Sequence, residues 1–203
     1  MKKYTIELIG TFFLVLVIGL TGNPFAIGSI LMVMVYMGGY ISGAHYNPAV
    51  TLAVWIRKKI ETKEALIYMI FQIIGSVLAS LVLILLKKDV FTPAPSPDFT
   101  LLEFLLVEIL FTFALCMVVL HVATSDKTAG NQYYGLAIGF TVLAAAYAGG
   151  PISGGAFNPA VGIGPILVDT FRGGESIANL WIYLAGPFAG GAAAGIFYNW
   201  QKP

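Results

Sequence analysis

The stretch ISGGAFNPAVG, Ile152 to Gly162, repeats with small changes an earlier one, ISGAHYNPAV, Ile41 to Val50. Both place glycine and proline, which interrupt regular helix, inside a chain that is otherwise strongly apolar. Of 203 residues, 58% are hydrophobic and 10% charged, with a mean hydropathy of +0.86. A soluble domain carries about a quarter charged residues, so the expected solvent is lipid. In lipid, irregular backbone survives at membrane depth only where it is buried in protein or lines a wet cavity. The repeated words are therefore expected to be re-entrant backbone. Their carbonyls, at Gly43, Ala44 and His45 and at Gly154, Gly155 and Ala156, are expected to face a pore as a ladder of acceptors.

Working outward, six segments are long enough to cross a bilayer, which takes about 20 residues. They lie near Tyr4–Leu20, Phe25–Ile41, Ala65–Leu86, Leu101–His121, Tyr133–Gly149 and Ile177–Tyr198. Two shorter stretches, Pro48 to Arg57 and Pro159 to Asp169, each suit a helix of roughly half a membrane thickness. The connectors Lys87–Thr100, Thr124–Gln132 and Thr170–Ser176 read as polar loops. The opening MKKYTIELIGTFFLVLVIGL reads as a first membrane helix that stays attached, since no convincing cleavage site closes it and Glu7 interrupts it.

The repeat extends beyond the quoted words. ELIGTF begins at Glu7 and EILFTF at Glu108, and Tyr68 to Gly75 is echoed by Tyr183 to Gly190. The chain divides into halves at about 1–90 and 100–203 of a single channel domain, 1–203, each with three spans and one half-span. Three is odd, so the second half enters the membrane from the opposite side, an inverted repeat. The fold class expected is an all-α membrane protein with six transmembrane helices and two re-entrant half-helices.

With a cytoplasmic N-terminus, Lys2, Lys3, Arg57, Lys58, Lys59, Lys63, Lys127 and Lys202 lie inside, and Lys87, Lys88 and Arg172 outside. That split fits the positive-inside rule and puts both termini in the cytoplasm, in a cell (inner or plasma) membrane. A net charge of +1 gives no reason to expect nucleic acid. Cys116, the single cysteine, sits in an apolar run and reads as packing.

Asn47 and Asn158 fall as N-caps, with Pro48 and Pro159 at the first helical position and Ala49 and Ala160 next. Two such half-helices from opposite sides meet N-terminus to N-terminus near the midplane, about half a positive charge each. A water held there by both Asn amides points its hydrogens outward, which breaks a proton wire and repels cations. Glu7 and Glu108 are ionisable groups within spans. They read as acceptors for the re-entrant amides, with a proton relay as the alternative. His45 is expected to brace its loop as well. A metal needs several converging ligands and none are evident; no cofactor is called for and no catalytic set stands out. Gly135/Gly139, Gly186/Gly190 and Gly191/Gly195 have the small-xxx-small spacing of close helix contacts.

On ELIGTFFLV, SGAHYNPAVT, SGGAFNPAV, Glu108 and GPFAGG, the chain resembles the aquaporin (major intrinsic protein) family over nearly its whole length. The resemblance implies six tilted helices, two half-helices, one pore per subunit, a homotetramer, and water and small neutral solutes as partners alongside membrane lipid. It also implies an arginine three residues after the second Asn; Val161 stands there. By spacing from the two Asn residues, the other filter positions are Ile27, Ala146 and Gly155, with Tyr147 taking the place of Ala146 if the register slips by one. Some vacuolar plant members of the family carry Val at the same point and pass water with small neutral solutes. Gly162 stands where glycerol facilitators place Asp; Tyr183 is like the water channels and Leu184 like the glycerol type. The apolar filter Ile27, Ala146, Gly155 and Val161 implies a passive channel for water and small neutral solutes. The alternatives are a glycerol- or urea-type facilitator with little water selectivity, a junctional or scaffold protein with a closed pore, plugged at Tyr46 or Tyr147, and an ion-coupled transporter using Glu7 and Glu108.

Overall fold

The computed structural model describes residues 1–201; Lys202, counted above among the inside charges, lies outside the described residues. Eight α-helices follow one another: α1 (Lys2–Thr21), α2 (Pro24–Ser42), α3 (Pro48–Ile56), α4 (Thr62–Lys87), α5 (Leu101–Thr124), α6 (Tyr134–Ser153), α7 (Pro159–Phe171) and α8 (Leu180–Gln201). Six segments are long and apolar enough to span a membrane, the last beginning with a 3₁₀ turn at Ser176. Leu85, Leu102, Phe25 and Trp200 stand exposed on their outer faces, which suits an apolar surrounding.

Helix ends follow local chemistry. Asn23 caps α2 through its side-chain oxygen, and Pro24 follows at the first position. Thr100 and Glu103 form a reciprocal capping box at the start of α5. The α6 helix runs to Ser153, past Pro151; a proline this close to the end removes little of the ladder. Termination instead falls on Gly154, at φ 86°, where a side chain would be strained.

The helices pair as α1 with α4, α5 with α8, and α2 with α6. Glycines set these distances. On α6, Gly139 lies against the Gly28 carbonyl and Gly135 against Tyr36 and Met32 of α2. On α8, Gly186 and Gly190 face α5, while Gly191 and Gly195 face Ala49, Ala53 and Ile56 of α3. Without a hydrophobic force between helices in lipid, such backbone contacts carry much of the association. Each half-helix packs chiefly on the other half of the chain, α3 on α8 and α7 on α4. Ser76 of α4 donates to the Ala160 carbonyl at 2.6 Å. The two halves are thus interlocked.

Candidate functional site

The interlocked half-helices meet tip to tip. Asn47 caps α3, its Oδ1 accepting from Ala49 N at 2.8 Å and Val50 N at 3.4 Å. Asn158 caps α7, accepting from Ala160 N at 2.9 Å. Pro48 and Pro159 open the two helices. The caps are also cross-linked: Asn47 Nδ2 donates to the Phe157 carbonyl at 2.9 Å and Asn158 Nδ2 to the Tyr46 carbonyl at 3.0 Å. An amide nitrogen carries two hydrogens, so each Asn keeps one N–H free of any hydrogen bond within the described residues.

The loops before these caps take left-handed backbone at parallel positions, strained at Ala44 and Tyr46 in the first and at Phe157 in the second. Gly43, Ala44 and Tyr46 have φ of 89°, 52° and 52°; their counterparts Gly154, Gly155 and Phe157 have 86°, 65° and 48°. A left-handed non-glycine residue costs about 1–2 kcal/mol, so something must hold it. Glu7 accepts from Ser42 Oγ (2.6 Å), His45 N (3.0 Å), Tyr46 N (2.7 Å) and Gln72 Nε2 (2.8 Å). Glu108 accepts from Ser153 Oγ (2.7 Å), Ala156 N (3.0 Å) and Phe157 N (2.7 Å). Tyr68 and Tyr183 donate to the Ser42 and Ser153 carbonyls. His45 is buried, with Nδ1 3.1 Å from Thr51 Oγ1 and its ring edge-on to Tyr68.

A cavity of about 600 Å³ runs down to these tips from the end of the molecule where α1 stops and α2 starts. Asn47 and Asn158 lie at its wall, and so do all four filter positions, Ile27, Ala146, Gly155 and Val161. Tyr147, the neighbouring register, shares the wall and is 57% exposed, so both readings of that position touch the same space. Of the ladder residues, His45, Gly154, Gly155 and Ala156 line the cavity, whereas Gly43, exposed, and Ala44, buried, do not. Among the described residues no charged side chain lines it. The connector after α4 was expected to be a plain polar loop. It enters the wall instead, through Phe91, Thr92, Pro93 and Ala94. Three prolines in five residues, with Val90 and Phe91 just before them, were the available signal of a stiff, partly buried strap.

An inverted repeat whose half-helices converge on one cavity within six spans defines a membrane channel architecture. The family profile MIP, Major intrinsic protein, matches residues 18–198. A "Probable aquaporin NIP-type" of Nicotiana alata is 40% identical over 178 residues, covering 85% of this chain and 62% of that one. "Probable aquaporin NIP4-2" of Arabidopsis thaliana is 34% identical, covering 99% and 75%. "Nodulin-26" of Glycine max is 35% identical, covering 98% and 77%. The chain thus spans less than two thirds of the first of these relatives and about three quarters of the other two. An aquaglyceroporin from Plasmodium falciparum shares the fold, with a TM-score of 0.86 at 20% identity over 98% of this chain and 95% of that one. The chain belongs to the major intrinsic protein family, a family of integral membrane channels rather than enzymes.

Proposed function

We propose that this chain is a passive pore for water and for small neutral solutes, with Asn47, Pro48, Ala49, Asn158, Pro159 and Ala160 at its midpoint and Ile27, Ala146, Gly155 and Val161 as its filter. The observation that carries the reading is the cavity that touches all four filter residues and ends on both Asn side chains. Each Asn has one N–H left for a passing oxygen, and each caps a helix whose positive end is worth about half a charge. Molecules that need a hydrogen-bond donor but carry no positive charge are favoured there. Val161 adds no fixed cation and Gly155 no bulk, so neutral solutes larger than water fit the wall chemistry.

Glu7, Glu108 and His45 act in this reading as loop braces. Both carboxylates are fully buried and occupied by loop donors, and neither lines the cavity, which favours bracing over a proton relay. Tyr46 is no plug in this reading: its ring is buried against Gly10 and Gly38. We further read residues 1–90 and 100–203 as the two halves of one channel domain. The assembly proposed is a homotetramer with a pore per subunit, surrounded by lipid of the cell membrane, both termini cytoplasmic.

Stopped-flow light scattering on proteoliposomes tests this. Water flux well above that of empty vesicles is expected, together with uptake of urea or glycerol. Flux equal to empty vesicles would remove the pore. Val161→Arg places a cation in the filter and should narrow solute uptake by tenfold or more, about 1.4 kcal/mol of barrier, with water retained. Unchanged uptake would show that Val161 does not face the path.

A further inference from the structure

The four filter side chains are apolar, yet a polar molecule leaving bulk water needs a replacement for its lost hydration. The strap between the halves is built to offer one. Val90 is buried with Leu83 and Val168, and Phe91 packs on the same cluster, which fixes the chain just before Thr92. Beyond it, Ser96 N donates to the Ile152 carbonyl at 3.0 Å, at the end of α6. Pro93 and Pro95 hold φ near about −65° and have no N–H, so the backbone between these anchors is stiff and extended. Ala94 lies directly on Gly154, where an added Cβ would meet its N and O. Thr92 is therefore held in the cavity wall, half-buried, and its hydroxyl makes no hydrogen bond within the described residues. Ile27, Ala146, Gly155 and Val161, on the same wall, bring no polar side-chain group.

We infer that Thr92 is a specificity-determining residue of the pore, its hydroxyl pairing with neutral solutes that carry two or more hydrogen-bonding groups, such as polyols and urea-like amides. The inference rests on the pore reading above. Water passes the strap still bonded to other waters, whereas a larger solute fills the width, excludes companion waters and depends on the wall. Thr92→Val keeps the shape and removes the hydroxyl; Thr92→Ser keeps the hydroxyl.

The test is water, urea and glycerol permeability of proteoliposomes holding the unaltered protein, Thr92→Val or Thr92→Ser. Thr92→Val is expected to lower urea and glycerol flux by about fivefold, the factor set by one unmade hydrogen bond, with water flux held within about twofold. Thr92→Ser is expected to restore the solute flux. An unchanged solute-to-water ratio in Thr92→Val overturns the inference, as does an equal fall for water and solutes, which would mark a merely structural strap. Water flux without urea or glycerol flux in the unaltered protein also overturns it while sparing the pore. No water flux in the unaltered protein removes the pore reading and this inference together.

Discussion

Glu7 and Glu108 hold equivalent loops through unequal sets of bonds. Four donors reach Glu7 and three reach Glu108. The extra one is Gln72, which also reaches Thr51; the position that corresponds to it in the second half is Pro187, inside α8. In both loops two successive backbone N–H groups point at one carboxylate. A carboxylate accepts at both oxygens, whereas an amide accepts at one. Glu7→Gln or Glu108→Gln therefore turns an NH₂ toward a backbone N–H whichever way it is flipped, leaving a buried donor unpaired. Each substitution is expected to destabilise the protein by about 1–3 kcal/mol and to reduce water flux as the strained residues relax. Thermal unfolding in detergent reads the first effect and proteoliposome swelling the second. Unchanged stability in both variants would show that the carboxylates do not hold the loops.

Among the elements, the repeat was legible because chain chemistry left a mark at each equivalent place. The two Asn-Pro caps, the two Glu residues and the Tyr68/Tyr183 pair stand at matched positions, and each set shares a common core of bonds, to which the first half adds Gln72 on Glu7 and Val50 N on Asn47. The spans were legible too, since apolar length alone specifies them. What stayed hidden depends on the distance between elements. Nothing in LeuIle-rich sequence tells which glycine of α4 or α8 touches which helix; Gly75 lies on the Leu8 carbonyl and Gly190 on the Ile109 carbonyl, again an equivalent pair. The Phe91–Ala94 strap was legible in part: the prolines that follow Phe91 signal stiffness, but only its anchors place it in the wall. Gly190→Ala puts a methyl against backbone that cannot rotate away, so α5 and α8 must separate. A loss of about 1–3 kcal/mol is expected, as for other overpacked contacts, with Gly75→Ala matching it at α1 and α4. Denaturant titration of the purified variants checks this; a wild-type midpoint in both would mean that these helices have slack at the glycine contacts.

At the scale of the whole molecule, the basic residues collect at two ends. Lys3 bonds Glu64 at 2.8 Å, Lys59 lies 3.8 Å from Asp126, and Arg57 stacks on Tyr198, which gathers the ends of α1, α3, α5 and α8 on one side. Lys87 bonds the Gly19 carbonyl and Arg172 the Lys88 carbonyl on the other. The Lys3–Glu64 and Lys59–Asp126 pairs lie at the surface and contribute little to stability; the consequence of the basic residues is orientation. Seven basic residues, Lys2, Lys3, Arg57, Lys58, Lys59, Lys63 and Lys127, fall on the first side, against Lys87, Lys88 and Arg172 on the second. In the orientation proposed above, which the positive-inside rule favours, the first side is cytoplasmic and the mouth lined by the Thr92 strap faces outward. Labelling can decide this, because the single native thiol, Cys116, is fully buried and gives a silent background. Asp126→Cys places a thiol on the first side, where the side chain is 95% exposed; Asp98→Cys places one at an exposed position just beyond the strap. A membrane-impermeant maleimide added to intact cells is expected to label Asp98→Cys alone, and both after lysis. Labelling of Asp126→Cys alone in intact cells would invert the molecule and turn the filter mouth toward the cytoplasm.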